Sequence, residues 1–269
     1  MPIYVPGKVV LAQTYVGIDD PDAAAYITAV NAADAAAGQT GGLETAVQVA
    51  IHSFVKGCKN DGIWPAIKAS CILAGARTRL GALTPLVGPI PTSFNFVDGD
   101  YNRETGLIGN GSNRYLSSAY TVPSSLQNNV HASVYVGTVP TGGANRIALG
   151  NGDGTGLGFY ARSAGTGYFF ACNTASATVV SATVSTTTGL IAVSRDSGVS
   201  YSPRINGVTS TVTQASAAPI NNAVNIYAGN PAGFYSDARL AFYSIGESLN
   251  LALLDARVTA LITAIGAAI

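Results

Sequence analysis

The sequence predicts a mainly β protein: an antiparallel β-sandwich, preceded by a helical module and closed by a C-terminal helix. Three observations carry that reading. Between Asp20 and Leu73, apolar side chains recur at intervals of three and four, the spacing of amphipathic helices. From Thr92 onward this spacing vanishes, and short β-rich runs alternate with Gly, Asn and Ser turns. Near Asn250 the helical spacing returns. A chain of 269 residues is long enough for one large domain or two modest ones.

Residues 1–18 read as an extended arm, because Pro2 and Pro6 exclude an early helix. Tyr4, Val9, Val10, Leu11 and Tyr15 give it apolar anchors, suited to docking on a neighbouring subunit or to a strand on the local core. Residues 19–91 read as a module of about three helices. Asp20 is placed to cap the first, Pro21 fits its first position, Asp22 favours the positive end of the dipole, and Gly38 closes it. Leu43, Ala46, Val47, Ala50, Ile51, Phe54, Val55 and Cys58 form one stripe along the second. Pro65 opens an expected third helix through Ala66, Ile67, Cys71, Ile72 and Leu73, and Pro85, Pro89 and Pro91 end the module.

Residues 92–249 hold the strands of the sandwich, ten or so at close spacing with no helix between them. They include Ala132–Gly137, Gly156–Arg162, Tyr168–Cys172, Gly189–Ser194, Tyr201–Ile205 and Asp237–Ile245. Asn206-Gly207 is a two-residue hairpin turn, since both positions tolerate positive φ. Residues 250–269 form the last helix, with Leu251, Leu254, Val258, Leu261, Ile262 and Ile265 on one stripe.

Only 10% of residues are charged, against roughly 25% in an average globular protein. A surface so poor in charge points to burial against partner subunits. The formal net charge is zero, so nothing steers the chain toward nucleic acid. No apolar run approaches the ~18–20 residues of a membrane helix, and the start shows no signal-peptide pattern. These features predict a protein made and assembled inside a cell. Cys58, Cys71 and Cys172 lack zinc-like spacing and read as buried or half-buried thiols.

The β-region resembles the concanavalin A-like (laminin-G-like) jelly rolls of bacteriophage structural proteins. The resemblance rests on Thr105 to Ser112 (TGLIGNGS) with Arg114-Tyr115-Leu116, on Gln127 to His131 with Ser133 to Val136, and on Gly189 to Arg195 with Arg204 to Gly207. The ending Leu240 to Leu249 and the stretch Gly62 to Thr78 are similar to parts of the same phage proteins. The likeness covers most of residues 20–269. It implies a virion structural protein, on tail, fibre or capsid surface, whose partners are other virion proteins and whose expected state is a homo-oligomer, with a trimer favoured. It also implies a lectin-like site for host-surface glycans, with a polysaccharide depolymerase as the alternative.

The residues themselves favour binding over catalysis. A glycosidase needs two carboxylates flanking a sugar bond, yet Glu44, Glu104 and Glu247 are the only glutamates and share no strand face. His52 and His131 cannot build a histidine-rich metal site; His131 reads as a structural turn residue. No cofactor is expected. Calcium is the one candidate ion, with Asp98, Asp100 and Asp153 in turn-like loops whose other reading is simply turn chemistry. Tyr120, Tyr160, Tyr201 and Tyr235 are the candidate glycan-stacking residues.

Overall fold

The computed structural model describes residues 17–141, 146–152, 154–161, 167–180 and 188–269. The arm anchors Tyr4, Val9, Val10, Leu11 and Tyr15, and the calcium candidate Asp153, lie outside the described residues.

Helix α1 (Pro21–Ala36) starts as its signals dictate: the Asp20 carboxylate accepts from the amides of Asp22 at 3.0 Å and Ala23 at 3.2 Å. Helix α2 (Thr45–Asn60) buries the expected stripe, except that Ala46 faces solvent. The expected third helix is absent. A single turn at Trp64–Ala66 leads instead into strand β1 (Ile67–Ile72). The reason is burial on both sides. Cys71 faces the core between the sheets and Ile72 faces the helices, so the run reads as continuously apolar and its period is hidden. Pairing with a distant strand then decides the conformation. A short helix α3 (Arg79–Ala82) follows, capped by Thr78.

The remaining strands are β2 (Thr92–Phe94), β3 (Tyr101–Asn102), β4 (Gly106–Ile108), β5 (Tyr115–Thr121) and β6 (Val130–Thr138). Next come β7 (Arg146–Gly150), β8 (Gly156–Ala161), β9 (Tyr168–Thr174), β10 (Thr178–Val180) and β11 (Gly189–Arg195). The last are β12 (Ser200–Ile205), β13 (Val208–Thr209), β14 (Val212–Thr213), β15 (Ala223–Ile226) and β16 (Arg239–Gly246). They form two antiparallel sheets, so the predicted sandwich is present. The first runs β13-β12-β11-β6-β16-β4-β3, with β1 beside β16 and β14 beside β12; the second runs β10-β9-β8-β7-β15-β5-β2. The β12–β13 turn places Asn206 at φ 52° and Gly207 at φ 73°, as an N-G hairpin requires.

Helix α4 (Leu251–Ala268) is capped by Asn250, which accepts from the amides of Ala252 and Leu253. By length and composition alone it is apolar enough to cross a bilayer. Its stripe of Leu251, Leu254, Val258, Leu261 and Ile265 is nevertheless buried on the protein, and its charges are paired, Asp255 with Arg204 and Arg257 with Asp61.

Two cores result, one on each side of the first sheet. The in-and-out alternation is clearest in β6, where Val130, Ala132, Val134 and Val136 point between the sheets. The opposite side of the first sheet, including Leu190, Ala192, Phe242 and Tyr135, packs against α1, α2 and α4. His131 belongs to that covered side. It lies inside β6 with no exposed surface, which corrects its assignment to a turn. Its Nδ1 donates to the Glu247 carbonyl, leaving Nε2 to accept from Ser244 Oγ at 3.0 Å, which in turn lies 2.8 Å from Ser133 Oγ. Burial pushes the imidazole pKa down to about 4, against the pull of the Glu247 carbonyl, so the ring is neutral at pH 7. The three cysteines are free and buried, and burial pushes each thiol up to about 12.

Candidate functional site

The second sheet turns one face to the core and the other away from it. Leu116, Leu149, Phe159, Phe170, Cys172 and Ile226 fill the inner face, and no described helix packs on the outer one. Because strand side chains alternate, the register fixes which residues share the outer face.

Two rows cross the strands there. In the first, Phe94 on β2 lies opposite Tyr115 on β5, and farther along Tyr160 on β8 lies opposite Phe169 on β9 and then Val179 on β10. Between these groups, the Tyr227 amide bonds the Ala148 carbonyl at 2.9 Å, keeping the strands at one level. Tyr227 itself adds no ring to the outer face. Its φ of 70° turns it inward, where its hydroxyl donates to the Leu107 carbonyl and its ring meets Phe96 edge-on. The second row is Thr92, Ser117, Asn225, Gly150, Gly158 and Ala171, of which only Thr92 and Ser117 reach solvent; Asn225 is buried and donates to the Gly229 carbonyl at 2.7 Å, and Gly150, Gly158 and Ala171 are buried too.

The aromatic residues of the first row pair with one another. Phe94 and Tyr115 stack at 4.3 Å between centroids with planes 5° apart, and Tyr160 and Phe169 stack at 4.9 Å, also at 5°. Tyr235, from the loop before β16, extends the first stack at 6.1 Å and 49°. Phe94 is 37% exposed and Phe234 beside Tyr235 is 47% exposed with φ 51°, whereas Phe169 of the second stack is buried. Stacked rings between neighbouring strands contribute roughly 0.5–1.5 kcal/mol each.

The surroundings of the rows are polar and fixed. Asn110 Oδ1 accepts from the amides of Ser112, Asn113 and Arg114, folding the loop next to β5. Arg146 ties that loop to the one before β16, donating to the carbonyls of Gly111 at 2.7 Å and Tyr235 at 2.8 Å. Asp237 lies 3.8 Å from Arg146 Nε; burial opposes its ionisation, but hydrogen bonds from Thr141 and the Arg146 charge hold its pKa below the usual carboxylate range. Gly158 is required by close packing, since a Cβ there would fall 2.5 Å from the Leu149 carbonyl oxygen and 2.7 Å from Gly150 Cα. A small cavity of about 10 Å³, room for one water molecule, lies among Leu149, Gly152, Leu157, Gly158, Tyr160 and Ala171. Uncharged rings beside hydroxyl and amide groups suit a ligand with apolar faces and hydroxylated edges.

The sequence candidates separate on this geometry. Tyr160 and Tyr235 lie in the two aromatic groups. Tyr120 is half-buried against the core between the sheets. Tyr201 is 1% exposed, its hydroxyl donating to the Phe170 carbonyl at 2.9 Å and its ring under the Arg195 guanidinium, which corrects its placement on the surface. Phe94, Tyr115 and Phe169 escaped the sequence reading. Asp98 pairs with Arg79 at 3.0 Å and Asp100 with Arg114 at 2.7 Å, with Asp100 also accepting from the Val97 amide. Both carboxylates thus serve the turn into β3, and the described residues contain no cluster of three metal-ligating groups.

No protein-family model matches the chain, and no curated protein matches it. Among solved structures, it is similar to the binding domain of botulinum neurotoxin serotype D, with a TM-score of 0.48, 8% identity, and 72% of this chain against 51% of that one. The receptor-binding domain of botulinum neurotoxin type G gives 0.48 and 12%, covering 74% of this chain and 51% of that one. A Trypanosoma rangeli sialidase in complex with 2,3-difluorosialic acid gives 0.47 and 11%, covering 90% of this chain and 37% of that one. The chain thus spans about half or less of these structures' length. At such identities and scores, no residue role passes from them to this protein.

Proposed function

We propose that the protein is a lectin-like subunit of a bacteriophage particle that binds host-surface carbohydrate through the outer face of its second sheet, without catalysis. One observation carries the binding role: two stacked aromatic pairs lie in register on the side of the second sheet where no described helix packs, with Phe94 exposed and Tyr115 and Tyr160 half-buried. The positions of the three glutamates support binding without catalysis. Glu44 is held by Arg77 and Arg103 beside α2, and Glu247 by Lys68 after β16, while Glu104 sits in the turn between β3 and β4 of the other sheet. None can flank a sugar on the aromatic face.

The particle reading rests on the resemblance to phage structural proteins, and the helix layer supports it. The solvent sides of α1 and α4 carry alanines at Ala25, Ala29, Ala32 and Ala36 and at Ala252, Ala256, Ala260 and Ala264. Small uncharged residues let a neighbouring subunit approach closely, at little desolvation cost.

A glycan array covering bacterial surface polysaccharides tests the binding role, with the double variant Tyr115→Ala/Tyr160→Ala as control. Signal from the wild type that the double variant loses is expected. Silence of the wild type on every glycan, or equal signal from both proteins, would overturn the role. Shortening of the bound polysaccharide during incubation would instead favour the depolymerase reading.

A further inference from the structure

We infer that the glycan is also gripped beside the sheet, in a corner where Phe234 and Asn113 contact one sugar ring and set which glycans are accepted. This inference rests on the binding role proposed above and adds a specificity-determining contact outside the aromatic row.

Phe234 carries two costs at once. Its φ of 51° lies in the left-handed region, which a bulky side chain enters only at an energetic cost. Its ring is 47% exposed, so burial does little to offset that cost. Such strain persists where the surrounding structure imposes it, and here the frame is closed on every side. The Gly229 amide donates to the Gly233 carbonyl at 3.1 Å, and the Ser236 amide to the Tyr227 carbonyl at 2.8 Å. Asn225 Nδ2 pins the same loop through the Gly229 carbonyl at 2.7 Å, and Arg146 holds the Tyr235 carbonyl at 2.8 Å. The loop holds an aromatic ring at the surface in a conformation where glycine would serve a plain turn better.

The same frame brings polar groups to this ring. Arg146 Nη1 donates to the Tyr235 carbonyl and also to the Gly111 carbonyl at 2.7 Å, which sets residues 110–113 beside the loop of Phe234. A Cβ at Gly111 would collide with that guanidinium, so the close approach requires glycine. On its other side this second loop is tied to the end of β2, where Asn95 Nδ2 donates to the Asn113 carbonyl at 2.8 Å, next to Phe94. Asn110, Ser112 and Asn113 are exposed. Asn110 Nδ2 donates to Asn113 Oδ1 at 2.8 Å, which fixes the Asn113 amide and keeps its nitrogen as a donor.

Amide and hydroxyl groups are thus tied on one side to the strand of Phe94 and on the other to the loop of Phe234. A pyranose fits such a corner. Its C–H face lies on an aromatic ring, and a hydroxyl or acetamido oxygen at its edge accepts from Asn113. The ring also discriminates between sugars, because an axial hydroxyl on the stacking face would lie unpaired against it.

The test reads Phe234→Ala, Phe234→Gly, Phe234→Tyr and Asn113→Ala beside the wild type on the array of bacterial surface polysaccharides, with thermal unfolding of each protein. On the glycan of strongest wild-type signal, Phe234→Ala, Phe234→Gly and Asn113→Ala should each bind about tenfold more weakly. Phe234→Tyr, which keeps the ring, should retain the wild-type affinity. Phe234→Gly, relieved of its strain, should melt at or above the wild-type temperature while binding as weakly as Phe234→Ala. Wild-type affinity in Phe234→Ala and Asn113→Ala, with Tyr115→Ala/Tyr160→Ala still inactive, would overturn the inference and leave the binding role standing. A melting temperature of Phe234→Gly more than about 4 °C below the wild type would overturn it as well, since the ring would then be holding the loop. Silence of the wild type on every glycan removes the binding role itself, and this contact with it.

Discussion

The two sheets of this sandwich share a core but differ in what lies behind them. The first sheet is covered on its outer side by α1, α2 and α4, and there it carries Leu190, Ala192, Phe242 and a hydrogen-bonded row of His131, Ser133 and Ser244. The second sheet carries stacked rings and small side chains on its outer side, with no described helix over them. On the covered face His131, Ser133 and Ser244 are matched to one another, because burial leaves them no water, while Ser70 Oγ opposite Ser244 has no hydrogen-bond partner among the described residues. On the other sheet the rings stack on one another across neighbouring strands. The comparison separates residues that hold the fold from residues available for function, and each test below attempts to erase that separation.

The largest effect belongs to the covered face. Phe242 meets Phe54 of α2 edge-on at 5.7 Å and has no exposed surface. Phe242→Ala should cost about 3–5 kcal/mol in urea denaturation. A cost below about 1 kcal/mol would mean that the helices barely contribute to the sheet.

Acid comes next. His131 has a folded pKa of about 4, below the ordinary ~6.5 of the unfolded chain. The unfolded state therefore binds the proton first as pH falls. The stability that neutral His131 provides is complete above pH ~6.5 and is lost progressively toward pH ~4, about 3 kcal/mol in all. Denaturation midpoints measured across that range should fall more steeply in the wild type than in His131→Gln. Parallel slopes would contradict the buried neutral histidine.

A smaller effect is expected at the helix cap. Asp20→Ala should destabilise by about 1–2 kcal/mol through loss of the two amide contacts at the start of α1 and of the ion pair with Lys59.

The smallest change in stability should come from the open face. Phe94→Ala or Tyr160→Ala should each cost about 1 kcal/mol or less in the same assay, while abolishing most glycan binding. If Tyr160→Ala destabilised as much as Phe242→Ala, the two faces would be alike and the distinction would fail.

Much of this division could be read from the sequence because its signals are local. Asp20 and Asn250 cap their helices, Asn206-Gly207 turns its hairpin, and alternating runs such as Ala132–Gly137 and Gly189–Ser194 form strands of nearly those limits. The errors fall where the deciding contact is distant in sequence. Residues 66–73 read as helix because both of their faces are apolar, and only the pairing of β1 with β16 makes a strand there. Tyr201 read as a surface residue, but the pleat of β12 and the bond to Phe170 put it in the core. The aromatic row was half visible. Tyr160 and Tyr235 stood out as tyrosines, whereas Phe94, Tyr115 and Phe169 gain meaning only once β2 is paired with β5 and β8 with β9. Their strands were identifiable; their register was not.

The measurement that tests the central claim most directly is amide chemical-shift mapping by NMR as the glycan of strongest array signal is added. The account predicts that perturbations centre on Thr92–Phe94, Tyr115–Ser117, Gly158–Tyr160 and Phe169–Ala171, with α1, α2 and α4 unchanged. Perturbations confined to the helix layer, or to the outer strands of the first sheet, would contradict it and move the binding surface to the other side of the molecule.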